Sequence, residues 1–305
     1  MSSEWVTTAR ERLLHLRDPR VTAWGYRAGA APSVEPTVLA CLGLLATDPD
    51  PGRSLSIART AAGWLASLQN PDGSLGVSAT LRDPGWATPY AVALWAALGQ
   101  DQAERDRAAR WLLSERAYTS PQASNLWAGH DTSIAGWPWV PETHSWVEPT
   151  ALSILALRRA GHSEHPKVRE GVRLIRDRAI AAGGWNFGSK VVLGNELRPQ
   201  PAPSGLALLA LAGVDGRTAI VERAIAYLRR TLPGVRSAQS LGWGLLGLRA
   251  WGERPDQADQ WLAETCRRVS SRADAAPRLA HLLLAAGDHA VDLLGIPEEG
   301  DSHHG

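Results

Sequence analysis

Two glutamates stand in the same local setting. Glu35 lies in Val34-Glu35-Pro36-Thr37 and Glu148 in Val147-Glu148-Pro149-Thr150, and each is followed by a run of aliphatic residues. A carboxyl at the head of an apolar helix has two uses. It can cap the helix, where the dipole favours negative charge and lowers the carboxyl pKa. If the helix start points into a water-poor cavity, desolvation raises the pKa and leaves a protonated group that can act as a general acid. Thr88 takes the equivalent slot in another copy of the phrase, which suits capping. His144, four residues before Glu148, is placed to hydrogen-bond that carboxyl and tune it as an acid. The loop from Asn125 to Trp146 adds His130-Asp131, either a capping pair or a second acid site.

The aromatic residues are the second chemical signal. The chain has 14 Trp, 4 Tyr and 1 Phe. Phe is the ordinary core filler, so the Trp residues are not interchangeable bulk. Indole offers the strongest π-face for a cation and an N–H that can clip a neighbouring loop. Trp86, Trp95, Trp137, Trp139, Trp146, Trp185 and Trp243, with Tyr90 and Glu35, lie in or next to the openings of the apolar helices and are candidate ligand-binding residues. A cavity walled by indoles suits a polyene or a carbocation, and it suits a sugar almost as well.

The elements that must position these groups follow from a repeat. A polar or small residue, Pro, a Thr, Tyr or Ser, and an apolar run recur at Pro36, Pro89, Pro149 and Pro203, a period of roughly 55 residues. Weaker copies precede LGWGLLGL (241–248) and RLAHLLLAA (278–286). Proline suits the first helical position, and runs apolar on every face must be surrounded by protein. Between them, Ala58–Leu68, Glu104–Leu113, Val168–Ile180, Ile220–Leu232 and Ala258–Val269 are amphipathic at helical period. One polar-faced and one apolar helix per unit, six times over, predicts an all-α fold: a closed α/α toroid of six hairpins, with apolar helices inside. An open solenoid is the alternative. One toroid domain is expected over 1–296, with a flexible tail over 297–305 in which His303-His304 is a solvated end.

Composition narrows the function. The formal net charge is +1 with the signs interspersed, so nucleic acid is not an expected partner. The first residues are amphipathic and lack the apolar core of a secretion signal, and Cys41 and Cys266 fit a reducing compartment, so a cytoplasmic protein is expected. No phosphate-binding glycine loop and no Asp-rich magnesium site is visible, so no cofactor is expected. Catalytic zinc needs three protein ligands, and Cys41, Cys266 and His281 fall on different helices.

Ala62-Gly63-Trp64-Leu65, then Gln69 and Asp72-Gly73-Ser74-Leu75-Gly76, resembles the QW repeat of squalene–hopene cyclases and the related repeat of protein prenyltransferase β-subunits. Gly136-Trp137-Pro138-Trp139 and Gly183-Gly184-Trp185-Asn186-Phe187-Gly188 extend the likeness, which spans roughly Trp24 to Trp251. The resemblance implies an α/α toroid and a terpene cyclase-like enzyme. Class II cyclases carry an acid motif, Asp-x-Asp-Asp-Thr-Ala, at the start of an inner helix, and its middle Asp protonates a double bond or epoxide. Trp146-Val147-Glu148-Pro149-Thr150-Ala151 matches that stretch, with Glu148 in the place of the middle Asp and with Trp146 and Pro149 replacing its companions. The resemblance thus implies Glu148 as catalytic acid, with His144 and Asp131 as further catalytic candidates. It also implies an isoprenoid smaller than squalene or another apolar ligand, and it allows a peripheral membrane contact. A non-catalytic lipid- or protein-binding member and a carbohydrate-active toroid using Glu35, Asp131 and Glu148 are the other readings.

Overall fold

The computed structural model describes residues 4–49, 51–121, 129–214 and 216–296. The expected tail over 297–305 and the stretch 125–128 of the long loop lie outside the described residues.

Six apolar helices form the inner ring. Numbering all helices in chain order, these are α2 (Val34–Ala46), α4 (Thr88–Leu98), α6 (Val147–Arg159), α8 (Pro201–Leu211), α10 (Ala238–Arg249) and α12 (Ala275–Ala286). Each packs on the next, and α12 packs back on α2, so the ring closes. Leu39, Leu42, Leu94, Leu155, Leu208 and Leu245 on these helices are all buried. Burying each such side chain contributes about 1.5–3 kcal/mol.

The outer ring is α1 (Glu4–His15), α3 (Pro51–Leu68), α5 (Gln102–Ser114), α7 (Pro166–Asp177), α9 (Ala219–Thr231) and α11 (Ala258–Val269). These bury one stripe only: α7 turns Val168, Gly171, Val172, Leu174 and Ile175 inward. The first helix completes the circle, because α1 packs against α11 and α12. Its Arg10 also donates to the Leu44 carbonyl and to Asp48, both at 2.7 Å, at the far end of α2. The protein is an all-α toroid. Among the described residues, strand is confined to a hairpin of β1 (Val191–Val192) and β2 (Asn195–Glu196).

The prolines do not start every helix. Pro36 and Pro149 are third in α2 and α6, so Glu35 and Glu148 are second. What repeats is a hydroxyl. Thr37 Oγ1 accepts from Trp24 N–H at 2.9 Å and donates to the Trp24 carbonyl at 3.2 Å. Thr150 does the same with Trp137, at 2.9 and 3.3 Å, and Ser204 with Trp185, at 2.8 and 3.1 Å. Thr88 holds Leu75 in the same manner, at 3.0 and 3.3 Å. Each buried hydroxyl satisfies the backbone of the loop that crosses above its helix. The shared hydroxyl also corrects the register of the second unit: Trp86, not Thr88, occupies the slot of Glu35 and Glu148.

The indoles complete the clip. Trp24, Trp137 and Trp185 donate their ring N–H to the carbonyls of Leu13, Leu112 and Ile175, on the preceding outer helices α1, α5 and α7, at 2.8, 2.9 and 2.6 Å. In the second unit Leu75 replaces the Trp, and Trp95 reaches from α4 to the Ala62 carbonyl on α3 at 3.2 Å. Gln69 has a related structural task. Its amide donates to the Gly73 carbonyl at 3.0 Å and to the Glu104 carbonyl of α5 at 2.8 Å. A side chain at Gly73, whose φ is +98°, would meet the Arg107 carbonyl at 2.5 Å.

Removing one clip tests its weight. Thr150→Val keeps the shape but orphans the buried Trp137 N–H and carbonyl, so a loss of about 2 kcal/mol is expected. Thr60→Val, an exposed hydroxyl on α3 that bonds only its own helix, should change stability by less than about 0.5 kcal/mol. Equal urea midpoints for the two variants would remove the clip from the account.

Candidate functional site

Helical periodicity places the residues that meet at one mouth of the toroid. Side chains four apart lie on one face. Glu148 and Leu152, Gln239 and Trp243, and Pro277 and His281 are such pairs, and they line one central cavity of about 520 Å³ together with Tyr90 of α4 and Trp86 from the turn just before it. Glu35 on α2 and Leu206 on α8 join them, with Tyr26 and Arg27 from the loop before α2 and Trp139 from the loop before α6. The aromatic wall is ordered by edge-to-face contacts, Trp86 with Trp139 at 5.5 Å and with Tyr90 at 6.2 Å. Trp243 meets His281 in the same way at 5.6 Å.

Neither glutamate caps its helix. Glu35 accepts from the Tyr26 hydroxyl at 2.6 Å and from the Tyr90 hydroxyl at 3.3 Å. Among the described residues no group hydrogen-bonds to Glu148, which is buried to 7% exposure. Burial raises both carboxyl pKa values. At Glu35 the two phenol donors oppose the rise, because they favour the ionised form. At Glu148 nothing opposes it, and the charge on Glu35 adds to it. The Glu148 pKa is pushed up from 4.5 to about 7, by desolvation first and by Glu35 second. The two carboxyls thus sit in unlike settings, Glu35 with two phenol donors and Glu148 with none among the described residues.

His281 adds a neutral base. Burial lowers its pKa to about 4. Its Nδ1 lies 2.7 Å from the Pro277 carbonyl, which can only accept, so Nδ1 carries the hydrogen. Nε2 is left as a bare lone pair with no partner among the described residues.

Of the twelve residues singled out from the sequence, Glu148, Glu35, Trp86, Trp139, Trp243 and Tyr90 converge on this cavity. The other six do not. Trp95, Trp137 and Trp185 are the buried hairpin clips described above. Asp131 accepts from the backbone and hydroxyl of Ser133, at 2.9 and 2.6 Å, and lies 3.6 Å from Arg173. The Ser133 bonds and the arginines lower its pKa, so it is an ionised turn residue rather than an acid. His144 lines a separate hollow of about 220 Å³ with Trp146, and it packs edge-on against Tyr118 at 4.9 Å. It does not tune Glu148. The chain between them is extended at Trp146, φ −125° and ψ 156°, so a spacing of four is no helical turn there.

Sequence reading missed Tyr26, Gln239 and the base form of His281. Tyr26 sits in an irregular loop with no periodic signal. Gln239 and His281 were legible only through their place four residues from, or level with, the other lining positions. Among the described residues no group of three or more His, Cys, Asp or Glu could hold a metal ion. Nor is any described helix long and apolar enough to cross a membrane.

No protein-family model and no curated protein sequence matches this chain. Among solved structures it is similar to a protein from Actinoplanes at 17% identity, covering 89% of this chain and 81% of that one, with a TM-score of 0.57. It is also similar to type II terpene cyclase MstE from Scytonema without ligand, at 18% identity over 85% of this chain and 78% of that one, TM-score 0.55. An MstE variant in complex with its product, merosterolic acid A, aligns at 18% identity over the same shares, TM-score 0.58. These likenesses show a terpene cyclase-like fold.

The carboxyl pair predicts a pH dependence of stability. Between the ordinary carboxyl pKa of 4.5 and about 7 the folded protein binds the proton on Glu148 that the unfolded chain has lost. Stability therefore falls as pH rises through that window, by up to about 3 kcal/mol. Glu148→Gln removes this loss, so the variant should gain on wild type as pH is raised from about 4 to about 8. Urea midpoints that keep a constant difference across that range would refute the raised pKa.

Proposed function

We propose that the protein is a terpene cyclase-like enzyme that begins its reaction by protonating a carbon–carbon double bond or an epoxide of a small isoprenoid. The observation that carries this reading is Glu148, buried in an indole-walled cavity with no hydrogen-bond partner among the described residues, where burial and then Glu35 push its pKa up to about 7. The likeness to MstE, whose solved complexes hold geranylgeranyl dihydroxybenzoate as substrate and merosterolic acid A as product, supports an isoprenoid ligand. A cavity of about 520 Å³ lies within the usual size of a ligand pocket.

In this reading the Glu148 O–H bond breaks as the alkene π pair takes its proton, and positive charge appears on the more substituted carbon. The faces and edges of Trp86, Trp139 and Trp243 surround that charge. Each indole face so used is worth about 0.5–2 kcal/mol to a cation, the more so where water is excluded. The Glu148 carboxylate left behind is no longer neutral, and Glu35 beside it makes its reprotonation favourable. A proton lost from the final cation closes the balance. The Glu35 carboxylate and the neutral His281 are the acceptors that the wall offers for it. The pKa order keeps the resting state poised, because a group at about 7 holds its proton against an imidazole at about 4.

Two buried carboxyls in a Trp-lined cleft also describe a carbohydrate-cleaving site, although Asp131 takes no part in it. A non-catalytic binding role is the third reading. Incubation with prenyl diphosphates, prenylated aryl acids and nitrophenyl glycosides separates the three. The expected outcome is loss of an isoprenoid double bond without cofactor. Release of nitrophenol would transfer the site to sugars, and binding of isoprenoids without turnover would make the protein a carrier.

With turnover in hand, Glu148→Gln should keep fold and ligand affinity and lower kcat by at least about 100-fold. Wild-type turnover should fall about tenfold per pH unit above about 7, where Glu148 loses its proton. Glu35→Gln removes the neighbouring charge, so this alkaline limb should move to lower pH. A limb that stays in place would separate the two carboxyls.

A further inference from the structure

The cavity wall holds an acceptor that no described residue satisfies. His281 sits in the middle of α12, buried, and lines the central cavity. Its Nδ1 is turned back on the Pro277 carbonyl, one turn earlier on the same helix, at 2.7 Å. Nε2 lies across the ring, points away from that turn, and has no partner among the described residues. With the hydrogen of the neutral imidazole on Nδ1, Nε2 can accept a hydrogen bond and cannot donate one. The lock is local, because donor and carbonyl belong to one turn of one helix.

The ring is also held in place from outside. α10 comes so close to α12 here that a side chain at Gly242 would meet the His281 carbonyl at 2.9 Å and the His281 Cβ at 3.2 Å. Trp243, the next residue, stands edge-on to the imidazole at 5.6 Å. The phenol hydroxyls of the wall are spent elsewhere, since Tyr26 and Tyr90 donate to Glu35. Leu152, Leu206, Trp86 and Trp139 make much of the remaining wall apolar or aromatic. An acceptor so fixed discriminates among ligands, because one that covers it without a donor leaves it unpaired. Its place matters as well. α12 stands three places from α6 in the ring of six inner helices, so His281 lies across the cavity from Glu148.

We propose that His281 accepts a hydrogen bond from a hydroxyl of the ligand at Nε2, and so selects an isoprenoid alcohol or phenol. The inference rests on the isoprenoid reading of the cavity, and it adds the functional group that the ligand carries. The hydroxyl sits at the end away from the bond that Glu148 protonates, so one contact sets the direction in which the chain lies. An ether, carbonyl or epoxide oxygen at the same place would set lone pair against lone pair.

Calorimetric titration of farnesol and farnesyl methyl ether tests it, in the Glu148→Gln background, which takes turnover out of the readout. Farnesol should bind at least about tenfold more tightly than its methyl ether. His281→Phe keeps a ring but no acceptor, and it should erase most of that preference by weakening farnesol and not the ether. His281→Gln, whose amide oxygen can accept, should restore part of it. A further measurement does not depend on the His281 variants folding. The nitrogen NMR resonance of Nε2 in histidine-labelled protein should move upfield with farnesol and stay in place with the ether. Equal affinities for the two ligands would overturn the inference. So would an undiminished preference in folded His281→Phe, or an Nε2 resonance that farnesol does not move. Failure of the isoprenoid reading looks different: neither ligand would then bind, and the hydroxyl inference would fall with it.

Discussion

The loops that cross the mouth of the toroid bring backbone N–H and carbonyl groups into places that water does not reach, and each such group must find a partner. A single hydroxyl at the same level of four inner helices meets this demand, accepting from one N–H and donating to the carbonyl of the same residue. Thr37, Thr88, Thr150 and Ser204 therefore do more than decorate helix starts. They set the height of each loop over its helix. Three of the four clipped residues are Trp, and their indole N–H groups carry the tie outward to the outer ring. Inner helix, crossing loop and outer helix become one unit at each repeat, and the second unit reaches the same end by lending Trp95 from α4.

Because the hydroxyl sets the register, it also sets which residues see the cavity. Counting back two from Thr37, Thr88 and Thr150 gives Glu35, Trp86 and Glu148, and counting on two from the last two gives Tyr90 and Leu152. The repeat thus supplies a frame in which equivalent positions carry unlike chemistry. One slot holds a carboxyl with two phenol donors, one an aromatic face and one a carboxyl with no hydrogen-bond partner among the described residues. Function here is a matter of breaking the symmetry that the repeat provides.

The same slot poses an electrostatic contest, and magnitudes decide it. A helix N-terminus stabilises a carboxylate by about 0.3–1 kcal/mol at exposed sites. A carboxyl held at about 7 instead of 4.5 reflects about 3 kcal/mol in the opposite direction. Burial wins at Glu148, because the first turn faces the interior of the ring rather than solvent. At Glu35 two tyrosine hydroxyls restore part of what burial removes. Two glutamates in matching sequence contexts are thereby given different surroundings by residues outside those contexts: Tyr26 lies nine residues from Glu35, Tyr90 fifty-five.

How much of this the sequence determined can be read residue by residue. The period of the apolar runs and the amphipathic segments between them dictated two rings of helices, since an all-round apolar helix must be enclosed by polar-faced ones. The same repeat brought Glu35, Glu148, Trp86, Tyr90 and Trp243 to one end of the inner ring. Sequence could not divide the tryptophans. Trp137 and Trp139 are two residues apart, yet one is a buried clip and the other lines the cavity. Nor could it place His144, where spacing suggested a helical turn and the backbone is extended. Closure alone decided the rest: α12 meeting α2 brings His281, Arg278 and Arg27 to the wall opposite Glu148, though they come from the two ends of the chain. Local pattern records what each helix must bury, while the neighbours across a closed ring are fixed by packing between segments hundreds of residues apart, which no local pattern encodes.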